Sequence, residues 1–278
     1  MALPDGFQFS QNSLQDYVEC ERRFQLRYLI RQHWPAVASE PIEELEHLLE
    51  LGRRFHRLAE QHNLGMPESE LSRSIDSDRL RRWWRNYLEN PPPGLPPGQS
   101  YAETTLSTPI QRFRLLAKYD LLSIGSDDTA VVVDWKTTRR RPNSAVLAKR
   151  LQTRIYCYVA VKAAHSLSQG TRIQPGNLTM VYWFSEFPHQ PEVLRYSDAQ
   201  HERNDVELNS LVAAIAAQAE EPLEAWPLTN EIGRCRFCNY RSLCNRGVVP
   251  GPVAEWDADA ALDLDTEFEF EDIEEIAY

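Results

Sequence analysis

Apolar and polar positions alternate with two different periods along the chain, one helical and one that of strands. From Ser13 to about Ile30, the residues Leu14, Tyr17, Val18, Phe24, Tyr28 and Leu29 form an apolar stripe. This spacing predicts a helix with Ser13 as its N-cap. A second helix is expected over about Ile42–His62, just after Pro41, and a third over about Ser77–Leu88. The run from Pro91 to Gly98, PPPGLPPG, stops the third helix and forms a stiff loop. The period then becomes that of strands at Tyr101–Leu106, Phe113–Ile124 and Ala130–Lys136, the last almost all valine before Asp134. Helical spacing returns from Val146 to about Leu167. Strands follow at Leu178–Phe184 and Val193–Tyr196, then an alanine-rich helix over Asn204–Glu220 and a compact loop-rich stretch at Cys235–Cys244. Helices, a strand meander, then helix, strand and helix imply a mixed α/β core with a helical N-terminal part packed around it.

With 278 residues, 42% hydrophobic and 26% charged, the chain can bury a core without staples. It holds no apolar run of ~18 residues, the length that spans a bilayer. MALPDGFQFS lacks the basic and apolar segments of an export signal, so a reducing, cytoplasmic location is expected. The five cysteines are then thiols or metal ligands rather than disulfides. The net charge of −11 is unevenly placed. Of 41 acids, 11 lie in residues 254–278, which carry no Lys or Arg; residues 1–253 hold 30 acids against 30 bases. The low pI therefore does not exclude a polyanionic partner. The body reads as one domain, residues 1–253, and 254–278 as a disordered acidic appendage. That appendage is either a solubilising tail, a docking peptide for a protein, or a decoy competing with nucleic acid.

The most informative stretch is Val131–Lys136. Side chains two apart on a strand share a face, so Asp134 and Lys136 project together at its end. Asp120 closes the segment Leu115–Tyr119 and can converge with Asp134 in a hairpin. Two adjacent carboxylates repel unless a divalent cation lies between them. A lysine beside such a cation can orient a water and stabilise developing phosphorane charge. Alone, an Asp-x-Lys at a strand end is most often a surface salt bridge. Three further features accompany it. Gln152 and Tyr156 share a helix face, His56 lies four residues after Gly52, and Arg139, Arg140 and Arg141 follow Lys136 where a phosphate backbone would pass.

Cys235-x2-Cys238-x5-Cys244 is a tight thiolate cluster, and Cys20 stands alone far upstream. Together they offer four ligands for zinc or an iron–sulfur cluster. Cys157 reads as a core thiol.

In this order the motifs resemble the PD-(D/E)XK nuclease superfamily. More narrowly, they are similar to its RecB-like branch with a C-terminal iron–sulfur cysteine cluster, which includes AddB-type nuclease domains and CRISPR-associated spacer-acquisition exonucleases. The resemblance rests on Ser13, Tyr17, Cys20 and Phe24; on Gly52 to His56; on Asp120; on Asp134 and Lys136; on Gln152 and Tyr156; and on Cys235, Cys238 and Cys244. Tyr119 stands where the superfamily often has Pro, and Glu21 where the branch often has Pro. The resemblance implies a restriction-endonuclease-like α/β fold, a mixed central sheet flanked by helices. His56, Asp120 and Asp134 would hold Mg²⁺ or Mn²⁺, and Lys136, Gln152 and Tyr156 would serve catalysis. Glu103 is an additional acid, and Cys20, Cys235, Cys238 and Cys244 would hold a [4Fe–4S] cluster, with zinc as the alternative. The implied function is a metal-dependent DNA exonuclease acting on single strands or free ends, with a helicase or repair protein as possible partner. The alternative is a non-catalytic DNA-binding or structural subunit of a helicase–nuclease complex. No GxxxxGK[ST] phosphate loop is present.

Overall fold

The computed structural model describes residues 2–32, 42–167 and 172–247. The acidic segment 254–278 lies outside the described residues. The first expected helix is divided. A short strand β1 (Gln8–Phe9) precedes α1 (Gln11–Glu19), which Ser10 caps rather than Ser13. Ser10 Oγ accepts the Ser13 amide at 3.2 Å, and Ser13 Oγ accepts the Ser10 amide at 2.8 Å. Ser13 is thus the third helical member of a capping box, three positions after the cap itself. At Cys20 the backbone is extended (φ −162°, ψ 105°), its amide bonding back to Asp16. The chain then re-enters helix as α2 (Glu21–Phe24) and a π-helical turn, Gln25–Leu29. The helices α3 (Ile42–Asn63) and α5 (Asp78–Glu89) agree with expectation, and α4 (Glu68–Arg73) is added between them.

Among the described residues, six strands form one mixed sheet. They are β1, β2 (Gly98–Ile110), β3 (Phe113–Gly125), β4 (Ala130–Lys136), β5 (Leu178–Phe184) and β6 (Glu192–Arg195). β2 is about twice its expected length. β3 is the hub: β2 pairs along one edge, and the other edge takes β1 in parallel and then β4 antiparallel. β4 and β5 are parallel and therefore need a crossover, made by α6 (Ser144–Leu147) and α7 (Leu151–Ala163). The expected single helix from Val146 is broken between α6 and α7 at Arg150, which is extended. Thr153 Oγ1 donates to the Leu147 carbonyl at 2.6 Å and satisfies an acceptor that a continuous helix would use. After β6, α8 (Asp198–Gln218) starts six residues earlier than expected because Ser197 caps it. A short α9 (Ile232–Cys235) opens the cysteine region.

The sheet carries one core on each face. Val131, Val133, Trp135, Val181 and Trp183 pack under α3 and α5; Val132, Met180, Tyr182 and Phe184 pack under α7 and α8. This buried-on-both-faces environment explains why β4 is an unbroken apolar run. On the first face Phe55 stacks on Trp183 at 5.9 Å, fixing α3 against the sheet. In β3 the inward phase changes partway. Leu115, Ala117 and Tyr119 face the α7–α8 core, but so do Leu122 and Ile124, while Leu121 turns to the other. The change of phase falls at Asp120.

Candidate active site

The β3–β4 ladder stops at Leu121↔Val133, and the next facing residues are Asp120 and Asp134. Beyond the ladder the strands part and leave backbone donors without strand partners. Asp120 Oδ2 accepts one of them, the Trp135 amide, at 2.7 Å. Its Oδ1 lies 3.2 Å from His56 Nδ1, presented by α3 from the next position after the anchored Phe55. On β2, Glu103 stands opposite Asp120 between the register pairs Ala102↔Leu121 and Thr104↔Tyr119. Its φ of +45° is a left-handed conformation that a non-glycine residue rarely takes within a strand. Lys118 holds its carboxylate at 2.9 Å. One ligand atom each from His56, Glu103 and Asp120 lies within 4.8 Å of the other two. One imidazole and two carboxylates are a donor set suited to a divalent cation.

Asp134 and Lys136 sit beside this group, each 3% exposed and paired at 2.8 Å. Asp134 Oδ1 also accepts from Gln152 Nε2 at 2.8 Å. Behind Gln152, the Tyr182 hydroxyl lies 3.4 Å from Gln152 Oε1 and 2.7 Å from Thr153 Oγ1. The Lys136 amine stands 5.8 Å over the Tyr182 ring. The expected trio of His56, Asp120 and Asp134 is therefore arranged as two adjoining sets. Glu103 completes the compact three-ligand group, while Asp134 is bound to Lys136 and Gln152. Tyr156, one turn after Gln152, packs on Tyr119 at 5.2 Å. The Tyr119 hydroxyl donates to the Tyr156 carbonyl at 3.0 Å, so the residue in the superfamily's usual Pro position ties β3 to α7. Arg139, Arg140 and Arg141 are exposed after β4; Arg141 donates to the Gln190 carbonyl and pairs with Glu192. Sequence reasoning missed Tyr182 and Thr153, whose only signal was a hydroxyl within apolar segments.

The electrostatics follow from this crowding. Burial works against a charged His56, but Asp120 by charge and hydrogen bond, with Glu103 and Asp134 behind it, pushes its pKa up to about 9. Burial and Asp120 raise Glu103, partly offset by Lys118 and His56. Asp120 is lowered: burial opposes this, but His56, the Trp135 amide and Lys136 prevail. A stability prediction follows for the metal-free protein. The unfolded His56 titrates near 6.5 and the folded one near 9, so the stabilisation is fully present below 6.5 and is lost as pH rises through about 9. Allowing for a side chain 24% exposed, the effect is about 2 kcal/mol. Thermal melts in excess chelator should show this decline, and His56→Ala should lack it.

A second cluster closes the chain on itself. Cys20, Cys235, Cys238 and Cys244 line one small pocket with Arg23 and Tyr240. Burial raises Cys238 to about 11, with Arg23 opposing and Cys20 and Cys244 adding to the rise. Around the pocket, Arg22 and Gln25 both donate to the Leu223 carbonyl, and Glu19 pairs with Arg234 at 3.1 Å. Among the described residues, no three thiol sulfurs lie within 4.8 Å of one another. Cys157 is buried in the α7–α8 core.

Comparison with known proteins bears on this arrangement. A protein from Eubacterium rectale, its crystal structure described as that of a "putative exonuclease", is similar with a TM-score of 0.51 and 10% identity, over 88% of this chain and 90% of that one. The crystal structure of SSO0001 is similar with a TM-score of 0.40 and 11% identity, over 85% of each chain. No curated protein sequence matches the chain. The profile of the PD-(D/E)XK nuclease superfamily matches residues 8–245, which takes in both clusters. The chain belongs to the PD-(D/E)XK nuclease superfamily.

Proposed function

We propose that the protein is a divalent-metal-dependent deoxyribonuclease that degrades DNA from free ends, of the RecB-like branch. The observation that carries this reading is the abutment of two sets at the parting of β3 and β4: His56, Glu103 and Asp120, and Asp134, Lys136 and Gln152. The first set, with Asp134 at its side, would hold Mg²⁺ or Mn²⁺. Bound there, the ion would supply Lewis-acid polarisation of a phosphate oxygen and of water. The protein's own groups supply the rest. Asp134 fixes the Lys136 amine, which is thereby placed to orient the attacking water and to stabilise charge on the phosphate. Gln152, held by Asp134 and reached by Tyr182, orients that carboxylate. Arg139 and Arg140, exposed after β4, would meet the DNA strand through phosphate contacts, whereas Tyr156, buried against Tyr119, would support the site from the core.

The four cysteines would hold a [4Fe–4S] cluster that clasps the N-terminal helices to the end of the body. Zinc is the alternative occupant of the same four thiols. A role in DNA repair, recombination or CRISPR-type processing, alongside a helicase or other partner in the cytoplasm, is the setting this chemistry suits. The test is a substrate panel with Mg²⁺ or Mn²⁺: linear single-stranded and double-stranded DNA, the same strands blocked at the 5′ or 3′ end, and circular single strands. Progressive loss of linear DNA with circles intact is expected. Cleavage of circles would replace the exonuclease reading with an endonuclease one, and binding without any cleavage would favour the non-catalytic subunit.

A further inference from the structure

A cavity of about 470 Å³ opens between α1, the α6–α7 break and α8. Val18 and Val146 on its walls are 54% and 51% exposed, and Leu211 is half-buried. Lys149 and Arg150 edge the same cavity, and Arg154 is paired with Glu207 at its far side. The cavity thus presents an apolar floor with a basic border. Its fitting occupant has one apolar face and one acidic face.

Residues 262–271 have that composition. Leu262, Leu264, Phe268 and Phe270 alternate with Asp263, Asp265, Glu267, Glu269 and Glu271. A period of two puts the apolar set on one face of an extended segment and the acidic set on the other. Reach is ample. The described chain stops at Gly247 in the cysteine region, which meets the end of α1 through Arg234 and Glu19. Val18, on the cavity wall, is two residues before Cys20. The 15 residues from Gly247 to Leu262 can extend about 50 Å, against about 13 Å for the length of α1. Tethering also holds the segment at a local concentration in the millimolar range, so weak contacts suffice.

We infer that residues 262–271 dock in this cavity of their own chain, apolar face on Val18, Val146 and Leu211, acidic face against Lys149 and Arg150. The inference is independent of the nuclease reading. The lysine content allows a direct test. The chain has four lysines: Lys118 pairs with Glu103, Lys136 is buried against Asp134, Lys162 pairs with Asp205, and Lys149 borders the cavity. The full-length chain is treated with a zero-length carbodiimide, and the monomeric fraction is mapped by mass spectrometry. Coupling of Lys149 to Glu267, Glu269 or Glu271 is expected. The Phe268→Ser/Phe270→Ser variant, which leaves every acid and every lysine in place, should reduce that coupling at least five-fold and speed amide exchange over residues 144–154. The inference is overturned by coupling that is absent, is unchanged in the variant, goes to Lys162 instead, or occurs only in a dimeric fraction.

Discussion

Lys136→Met is expected to lower DNA cleavage by about a thousand-fold or more, as removal of a group that stabilises transition-state charge does. The amine is 2.8 Å from Asp134 and both residues are 3% exposed, so the single substitution also leaves a buried carboxylate without its cation. That loss costs about 3–5 kcal/mol of stability. Folding and chemistry are separated by the double variant Asp134→Asn/Lys136→Met, which removes both charges from the same volume. It is expected to melt close to the parent protein and to remain inactive. Activity above a tenth of the parent in either variant would show that the pair is structural. Asp120→Asn should be equally inactive for a different reason. Asp120 joins His56 to the Trp135 amide, and the neutral side chain weakens the site as a cation ligand while keeping its shape.

Cys20→Ser is expected to have the second largest effect, on stability rather than on chemistry. Cys20 is the one cysteine of the pocket that lies in the N-terminal segment, and the extended backbone there divides α1 from α2. Ligation energy at such a site acts as folding energy, on the order of 10 kcal/mol for structural metal sites. The hydrogen bonds from Arg22 and Gln25 to Leu223 cannot replace it. Anaerobically purified parent protein should carry about four irons per chain and absorb in the visible. Cys20→Ser should lose most of the iron and melt at least about 10 °C lower. A variant with parental iron content would remove Cys20 from the ligand set, and a colourless parent with stoichiometric zinc would replace the cluster.

Much of this arrangement was legible in the sequence where one chemical requirement fixes one residue type. The valine run of β4 could be read as a strand buried on both faces, and its period placed Asp134 and Lys136 together. Hairpin geometry brings Asp120 toward Asp134, and the resemblance at Gly52 to His56 implies His56 as a ligand; the structure puts His56 and Asp120 3.2 Å apart. Glu103 was harder to weigh. Its position depends on a left-handed backbone at a non-glycine residue, and on a change of phase in β3 whose sole trace is the adjacent pair Leu121–Leu122. The helix breaks at Cys20 and Arg150 were hidden for a related reason. Both interrupt sequences of sound helical period, and their causes are contacts that the period does not encode: a thiol meeting the distant cysteine triplet, and a Thr153 hydroxyl meeting the Leu147 carbonyl six residues before it. Ser10 and Ser13 are equally good caps by composition, and the reciprocal pair of hydrogen bonds decides between them.

The central claim is that the parting of β3 and β4 forms one divalent-cation site beside an amine. The most direct measurement is anomalous diffraction from crystals soaked in Mn²⁺. A single strong peak at bonding distance from His56, Glu103 and Asp120, on the side facing Asp134 and Lys136, is the expected result. A peak elsewhere on the chain, or none at saturating Mn²⁺ with His56 and Asp120 still bonded to each other, would contradict it.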